Sequence, residues 1–199
     1  MQALLSRLSF WRPKTDTPLP TIELQGERVL LRPVELRDAE DMFAFVADPK
    51  VVHFLPWQPA REVRGVQAFL EQQRGRRRSG ESLAFAVIWK ETGKVIGSTD
   101  IMQLLARDKH VELGYILAQE CWGKGIMTEA AALSRDYVFQ ELKRVKLVAF
   151  ADQENIGSRR VLEKIGMQEV GTEWRTVKEL TRLYVRYELT REDWEKLVH

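Results

Sequence analysis

Residues 110–131 read HVELGYILAQECWGKGIMTEAA, and the order of residue types in this stretch decides the fold. Residues 110–117 have the composition of a strand, Gly123-Lys124-Gly125 makes a turn, and a helix follows at once. Glycines let a backbone bend tightly and approach a ligand closely. The first amides of a helix have no intrahelical partner, so they point at whatever lies in front of them. With the helix dipole behind them they form an anion site, best suited to a phosphate or pyrophosphate. Lys124 adds positive charge beside it.

Two other phosphate-binding patterns fit less well. A P-loop needs GxxxxGK[ST], but Lys124 is followed by Gly125 and position 118 is Ala. A dinucleotide fingerprint needs a third small residue after GxG, where this chain has Thr128. It also needs a strand ending in an acid about 20 residues further on, and none is present.

Working outward, residues 21–24 and 28–34 are apolar runs around Gln25-Gly26-Glu27 and predict a hairpin. Asp38 opens a helix carrying Met42, Phe43 and Val46, which ends near Asp48-Pro49. Residues 51–59 (VVHFLPWQP) are aromatic and interrupted by proline, a structured loop. Residues 62–77 are helical, with Val66, Phe69 and Leu70 on one face. The basic end at Arg74-Gly75-Arg76-Arg77-Arg78 reads either as a phosphate patch or as cations complementing the helix dipole. Residues 83–90 and 95–105 form a second hairpin signal, and residues 106–109 turn the chain into strand 110–117. Beyond the glycine turn, helical periodicity runs over 128–142 through Ala131, Leu133, Tyr137 and Val138. A short strand (145–151), a helix (158–165), two strands (167–174 and 183–189) and a final helical turn after Thr190 complete the chain. Thr190 and Asp193 have the spacing of a capping box.

After strand 145–151 the chain reads ADQENIGSRRVLEKIGM, with Asn155 and Ser158 at the mouth of a helix. Short polar side chains at that place either cap the helix or contact a ligand. At this point the chain resembles the GNAT acetyltransferase superfamily, in its ribosomal-protein N-acetyltransferase (RimJ/RimL-like) branch. The resemblance covers about residues 21–190 and rests on three motifs in order. These are Glu112-Leu113-Gly114-Tyr115, Trp122-Gly123-Lys124-Gly125, and the run from Glu154-Asn155 through Ser158 to Gly166. The superfamily's pyrophosphate motif, [Q/R]-x-x-G-x-[G/A], here runs from Glu120 to Gly125, so its first position is Glu.

The resemblance implies a mixed α/β (α+β) fold with a mostly antiparallel central sheet and helices on both faces. It further implies a splay between the fourth and fifth core strands, residues 110–117 and 145–151. Acetyl-CoA would be the co-substrate, with its pyrophosphate on the backbone of Gly123, Lys124, Gly125, Ile126 and Met127. Asn155 would bind the pantetheine arm or order a water, against the alternative of a plain helix cap. The superfamily often uses a tyrosine in the second helix as the acid, and at that place this chain has Leu162. Ser158 is the replacement candidate, with a water relay as its rival.

Glu112 lies mid-strand, and alternation puts it on the face of His110 and Gly114. It is the candidate base, against a salt-bridge partner as the alternative. Tyr115 and Cys121 read as structural. The acceptor pocket is expected from loop residues 53–57, with Phe54 and Trp57 as contacts, and from residues 98–103. Trp57 either stacks on the acceptor or anchors the loop. Glu173, Arg175 and Glu179 are placed to reach the same mouth. A lysine amine near pKa 10.4 needs roughly 4.6 kcal/mol to be neutral at pH 7, and an α-amine near 7.7 only about 1 kcal/mol. One uncertain base therefore suits an α-amine or a small, acidified amine better than an ordinary lysine. The expected function is acetyl transfer to a protein N-terminal α-amine. The alternatives are a small-molecule amine (polyamine, aminoglycoside or amino-acid-derived toxin) and a silent acyl-CoA-binding module.

Composition sets the outer limits. The 199 residues are expected to form one domain at 21–199 after an extension at 1–20. That extension reads either as an arm with a Pro-containing linker or as a short amphipathic helix using Leu4, Leu5, Leu8 and Trp11. Net charge is +2, too even to argue for a nucleic-acid partner on charge alone. A single cysteine excludes an internal disulfide, and three scattered histidines show no metal-ligand spacing. No apolar run approaches the length of a membrane span, and the lone Cys121 suits a reducing compartment, so a cytoplasmic location is expected. The family resemblance allows a homodimer, though no self-complementary surface can be read from the chain.

Overall fold

The computed structural model describes residues 22–106 and 109–198, so the expectation for residues 1–20 lies outside the described part. Eight strands form one sheet in the order β1-β2-β3-β4-β5-β6-β8-β7. They are β1 (Leu24–Gln25), β2 (Val29–Pro33), β3 (Leu83–Trp89), β4 (Val95–Met102), β5 (His110–Leu117), β6 (Lys146–Asp152), β7 (Gln168–Val177) and β8 (Leu180–Thr190). The helices are α1 (Ala39–Val46), α2 (Val63–Ser79), α3 (Ile126–Gln140), α4 (Ile156–Lys164) and α5 (Arg191–Val198). Every pairing is antiparallel except β5 with β6. The expected mixed, mostly antiparallel sheet is therefore present.

Strand alternation assigns the two faces. Phe85 of β3 meets Tyr137 of α3 edge-on, and Thr99 of β4 hydrogen-bonds Ser134 of α3 at 2.7 Å. Odd-numbered residues of β3 and β4 thus face α3. α4 shares that side, because Arg159 donates to the Tyr187 hydroxyl of β8 at 3.1 Å. α1 and α2 cover the other face, where Ala84 and Ala86 leave room for them. α5 closes the α3 side, with Trp194 stacked on Phe139. Its start pairs Thr190 with Asp193, as the capping-box spacing predicted.

Three sequence expectations need correction. Phe69 is 36% exposed, and α2 buries Val66, Leu70 and Gln73. Gln73 takes that place because Ser82 gives its amide a buried partner. In α1 the buried residues are Ala39, Met42 and Phe45, while Phe43 and Val46 are only partly covered. α3 starts at Ile126 and buries Ile126, Met127, Ala130, Ala131, Ser134, Val138 and Phe139, leaving Leu133 and Tyr137 at its rim. The small residues Ala130, Ala131 and Ser134 let the helix axis approach the sheet, which a count of large apolar residues does not register.

At Gly97 β4 lies tight against β5, since a Cβ there would run into the Ile116 carbonyl oxygen. Gly97→Ala should lose about 3 kcal/mol of unfolding free energy in urea titration, because the obstacle is backbone. A loss below about 1 kcal/mol would mean that the two strands part without cost.

Candidate active site

β5 and β6 are parallel neighbours for only three residue pairs, His110–Lys146, Val111–Leu147 and Glu112–Val148. Past these pairs the ladder stops, although β5 runs on to Leu117 and β6 to Asp152. β6 stays paired with β8 along its whole length and β5 stays paired with β4. The sheet therefore opens into a V with Glu112 at its apex. This is the expected splay, between the fourth and fifth strands when the two-residue β1 is left out of the count.

At the far end of β5 a 3-10 turn, Gln119–Cys121, leads into the glycine turn. Trp122 anchors it through its indole N–H to the Leu117 carbonyl at 2.8 Å. Gly123 has φ +73° and Gly125 φ +74°, the left-handed region where a side chain is strained. Gly125 caps α3, and the N–H groups of residues 126–128 find no backbone acceptor outside the helix. Ile126 and Met127 are buried and Thr128 is partly exposed. Lys124 lies with its ammonium 5.7 Å from the Trp89 ring centre.

Arg28, which the sequence did not single out, clamps this turn. Its guanidinium donates to the Lys124 carbonyl at 2.8 Å and to Glu129 of α3 at 2.8 Å. Burial would raise the Glu129 carboxyl, but hydrogen bonds from Arg28 and Val29 outweigh it and hold the pKa low. A carboxylate in the first turn of α3 also suits the dipole.

Glu112 and Tyr115, three positions apart on β5, project to opposite faces of the sheet. Glu112 is half-buried on the α1/α2 face, and its hydrogen-bond partner is neutral, Gln103 Nε2 at 3.0 Å. Burial pushes its carboxyl up, Arg175 pulls it down, and Glu173 adds to the rise. The net direction is upward. Gln103 itself sits at φ +62°, a strained backbone for a non-glycine residue, directly beside that carboxylate.

On the α3/α4 face the Tyr115 hydroxyl crosses the open V. It donates to the Ser158 carbonyl at 2.9 Å and lies 3.0 Å from the Ser158 hydroxyl. Burial drives the Tyr115 pKa well above its ordinary value, and Ser158 only partly offsets this. Tyr115 is thus a contact across the cleft, a role its tyrosine type and strand position alone could not reveal. Asn155 caps α4, its side-chain oxygen accepting from the Ser158 N–H at 3.1 Å, which leaves its NH2 group for other contacts. Leu162, at the place of the expected tyrosine, is fully buried. Cys121 is buried as expected, and burial pushes its thiol up.

The mouth on the Glu112 side brings distant segments together. Lys178 in the β7–β8 turn donates to the Val52 carbonyl at 2.9 Å, and the Arg182 guanidinium lies 5.7 Å from the Phe54 ring centre. Arg175 stacks on Phe150 of β6 with its guanidinium carbon 3.4 Å from the ring centre, and it also binds Glu173. Phe54, Glu173 and Arg175 therefore share this wall. Trp57 is 44% exposed and Glu179 lies exposed in the hairpin turn, so neither is held there by packing. A depression between Leu36 and α2 shares no residue with the V.

A model of the acetyltransferase (GNAT) domain matches residues 28–168. A Bacillus licheniformis protein described as the uncharacterized N-acetyltransferase p20 is 30% identical over 148 residues, 74% of this chain and 83% of that one. The [ribosomal protein uS5]-alanine N-acetyltransferase of Escherichia coli (strain K12) is 26% identical over 185 residues, 88% of this chain and 94% of that one. Among solved structures, Mycobacterium smegmatis RimJ in complex with CoA-disulfide superposes with a TM-score of 0.75 at 26% identity. That match covers 89% of this chain and 92% of RimJ.

Proposed function

The chain belongs to the acetyltransferase (GNAT) domain family, and from that premise we propose that it moves acetyl from acetyl-CoA to a primary amine. The favoured acceptor is the α-amine of a protein N-terminus. Among the described residues no helix is long and apolar enough to cross a membrane, and no cluster could hold a metal ion.

The residues present fit the CoA moiety. The unpaired first-turn amides at 126–128, two left-handed glycines and the Arg28 clamp suit a pyrophosphate. Strand edges exposed beyond Glu112 suit an extended amide arm, with the Asn155 NH2 group beside them. Bound there, acetyl-CoA supplies an activated acyl carbonyl. Glu112 takes a proton from the acceptor amine on one face of the sheet. Ser158, backed by Tyr115, returns one to the leaving sulfur on the other. The separation of carboxylate and hydroxyls onto opposite faces is the observation that carries this reading.

The α-amine preference rests on proton affinity. A single half-buried carboxylate with a neutral partner deprotonates a group near pKa 7.7 far more readily than one near 10.4. The similarity to a ribosomal-protein alanine N-acetyltransferase supports the same choice.

The test is CoA release with Ala- and Ser-initiated peptides, polyamines and aminoglycosides. Peptides with a free α-amine should show kcat/KM at least about ten-fold above the small amines, and N-terminally blocked peptides should be inert. Turnover confined to small amines would replace the acceptor assignment. Acetyl-CoA binding without turnover on any amine would overturn the proposed transfer and leave an acyl-CoA-binding module.

A further inference from the structure

Asp100 lies on β4 facing Gly114 of β5, while Glu112 faces Met102. The two acids are thus diagonal neighbours on one sheet face, where Cβ atoms lie within about 7–8 Å of each other. One carboxylate oxygen of Asp100, Oδ1, is buried and has no hydrogen-bond partner. Of the three such orphan atoms among the described residues it is the only one on a carboxylate, the others belonging to Arg144 and Arg186. Leaving a buried carboxylate oxygen unpaired is costly, so the atom calls for a proton, a bound water or a role in the chemistry.

We propose that Asp100 is a positioning residue for proton transfer, holding the proton that Glu112 takes from the acceptor amine. This rests on Glu112 being the base. The groups around the pair favour a proton held between them. Burial raises Asp100, Arg76 at the end of α2 lowers it, and Glu112 raises it again, with the result near pKa 6. Arg76 is already engaged by Glu81, which weakens its hold. Glu112 faces Arg175 and Glu173 of β7, and His110 lies two positions before it on the same strand face. An ionised Glu112 favours the protonated form of Asp100, and a pair of carboxylates sharing one proton is the lower-energy state.

The balance is complete without another reactant. The acceptor enters as R–NH3+ and gives one proton to the Glu112 carboxylate, which relays it to Asp100 directly or across a water. The neutral nitrogen forms a bond to the acyl carbon as the carbon–sulfur bond breaks. The second nitrogen proton ends on the sulfur. The products are the amide, CoA thiol and one proton, which leaves from Asp100 to solvent and resets Glu112.

The test compares wild type, Asp100→Asn, Asp100→Glu and Glu112→Gln, with an Ala-initiated peptide as acceptor and acetyl-CoA affinity as the check on folding. Infrared difference spectra across pH 5–8 report carboxyl protonation without any acceptor. A protonated carboxyl band titrating near 6 should be present in wild type, shift downward in pH in Glu112→Gln, and vanish in Asp100→Asn. Asp100→Asn should lower kcat about ten-fold with KM for the peptide changed less than about three-fold, and the ionisation near 6 should leave the pH profile. Asp100→Glu should recover part of the rate. An Asp100→Asn enzyme with full kcat and the same titrating band overturns the inference even if Glu112→Gln is slow. A fast Glu112→Gln enzyme removes the base assignment itself, and this inference with it.

Discussion

Glu112→Gln should lower kcat for peptide acetylation by about 10²–10⁴-fold, the range a positioned general base contributes. Glutamine keeps the shape and can still meet Gln103, so the fold and acetyl-CoA affinity should hold. The sign of the pH effect follows from the raised carboxyl. With Glu112 as the proposed base, transfer needs it ionised, so the rate should climb as pH rises through its pKa. Burial, the largest cause, moves that acidic limb above the ordinary glutamate range, and Arg175 moves it back in part. In Glu112→Gln this limb should disappear. Removing Arg175 by Arg175→Met should instead shift it to higher pH, because the opposing positive charge is lost. Stopped-flow and steady-state CoA release between pH 5 and 9 would read both. A limb that stays in place in Glu112→Gln assigns the proton to another group.

Gly123→Val should weaken acetyl-CoA binding about 100-fold or more by calorimetry while the circular dichroism spectrum stays unchanged. Gly123 sits at φ +73° with open space around the position where a Cβ would be. The valine therefore meets no wall of the fold. Its cost is a β-branched residue in a left-handed conformation, about 1–2 kcal/mol, and a bulky group beside the start of α3. Gly123→Asn separates the two effects, because asparagine tolerates that conformation better. Asn should keep the turn and lose less affinity than Val. Unchanged affinity in Gly123→Val would remove the pyrophosphate site from this turn.

The elements that were legible are those whose causes are local. The glycine turn before α3, the hairpins and the Thr190–Asp193 cap each depend on residues within a few positions of one another. Strand alternation also put Glu112 on its face from the sequence alone. Helix faces were read less well, because a helix against a sheet is seated by small residues such as Ala130, Ala131 and Ser134. Phe69 shows the converse, a large apolar residue at helical spacing that remains on the surface.

The site divides along the same line. Gly123, Gly125 and Asn155 announced themselves by type and position in a short motif. Arg28, Asp100 and Tyr115 did not, since each acquires its role from a partner 43 to 101 residues away or from a neighbouring strand. Asn155 carries both parts, a capping oxygen dictated by the residue three places on and an amide whose use depends on the open V.

The sequence by itself determined the order of strands and helices, the glycine turn at 123–125 and the family resemblance that named acetyl-CoA. Tertiary structure alone decided that β5 and β6 part after Glu112, that Tyr115 spans the gap to Ser158, and that one Asp100 carboxylate oxygen lies unpaired on the same sheet face as the proposed base. The physical reason is range. Turn and cap energies are set by neighbours in the chain, whereas the burial and electrostatic field that tune a carboxylate are set by whichever distant strands the sheet brings alongside it.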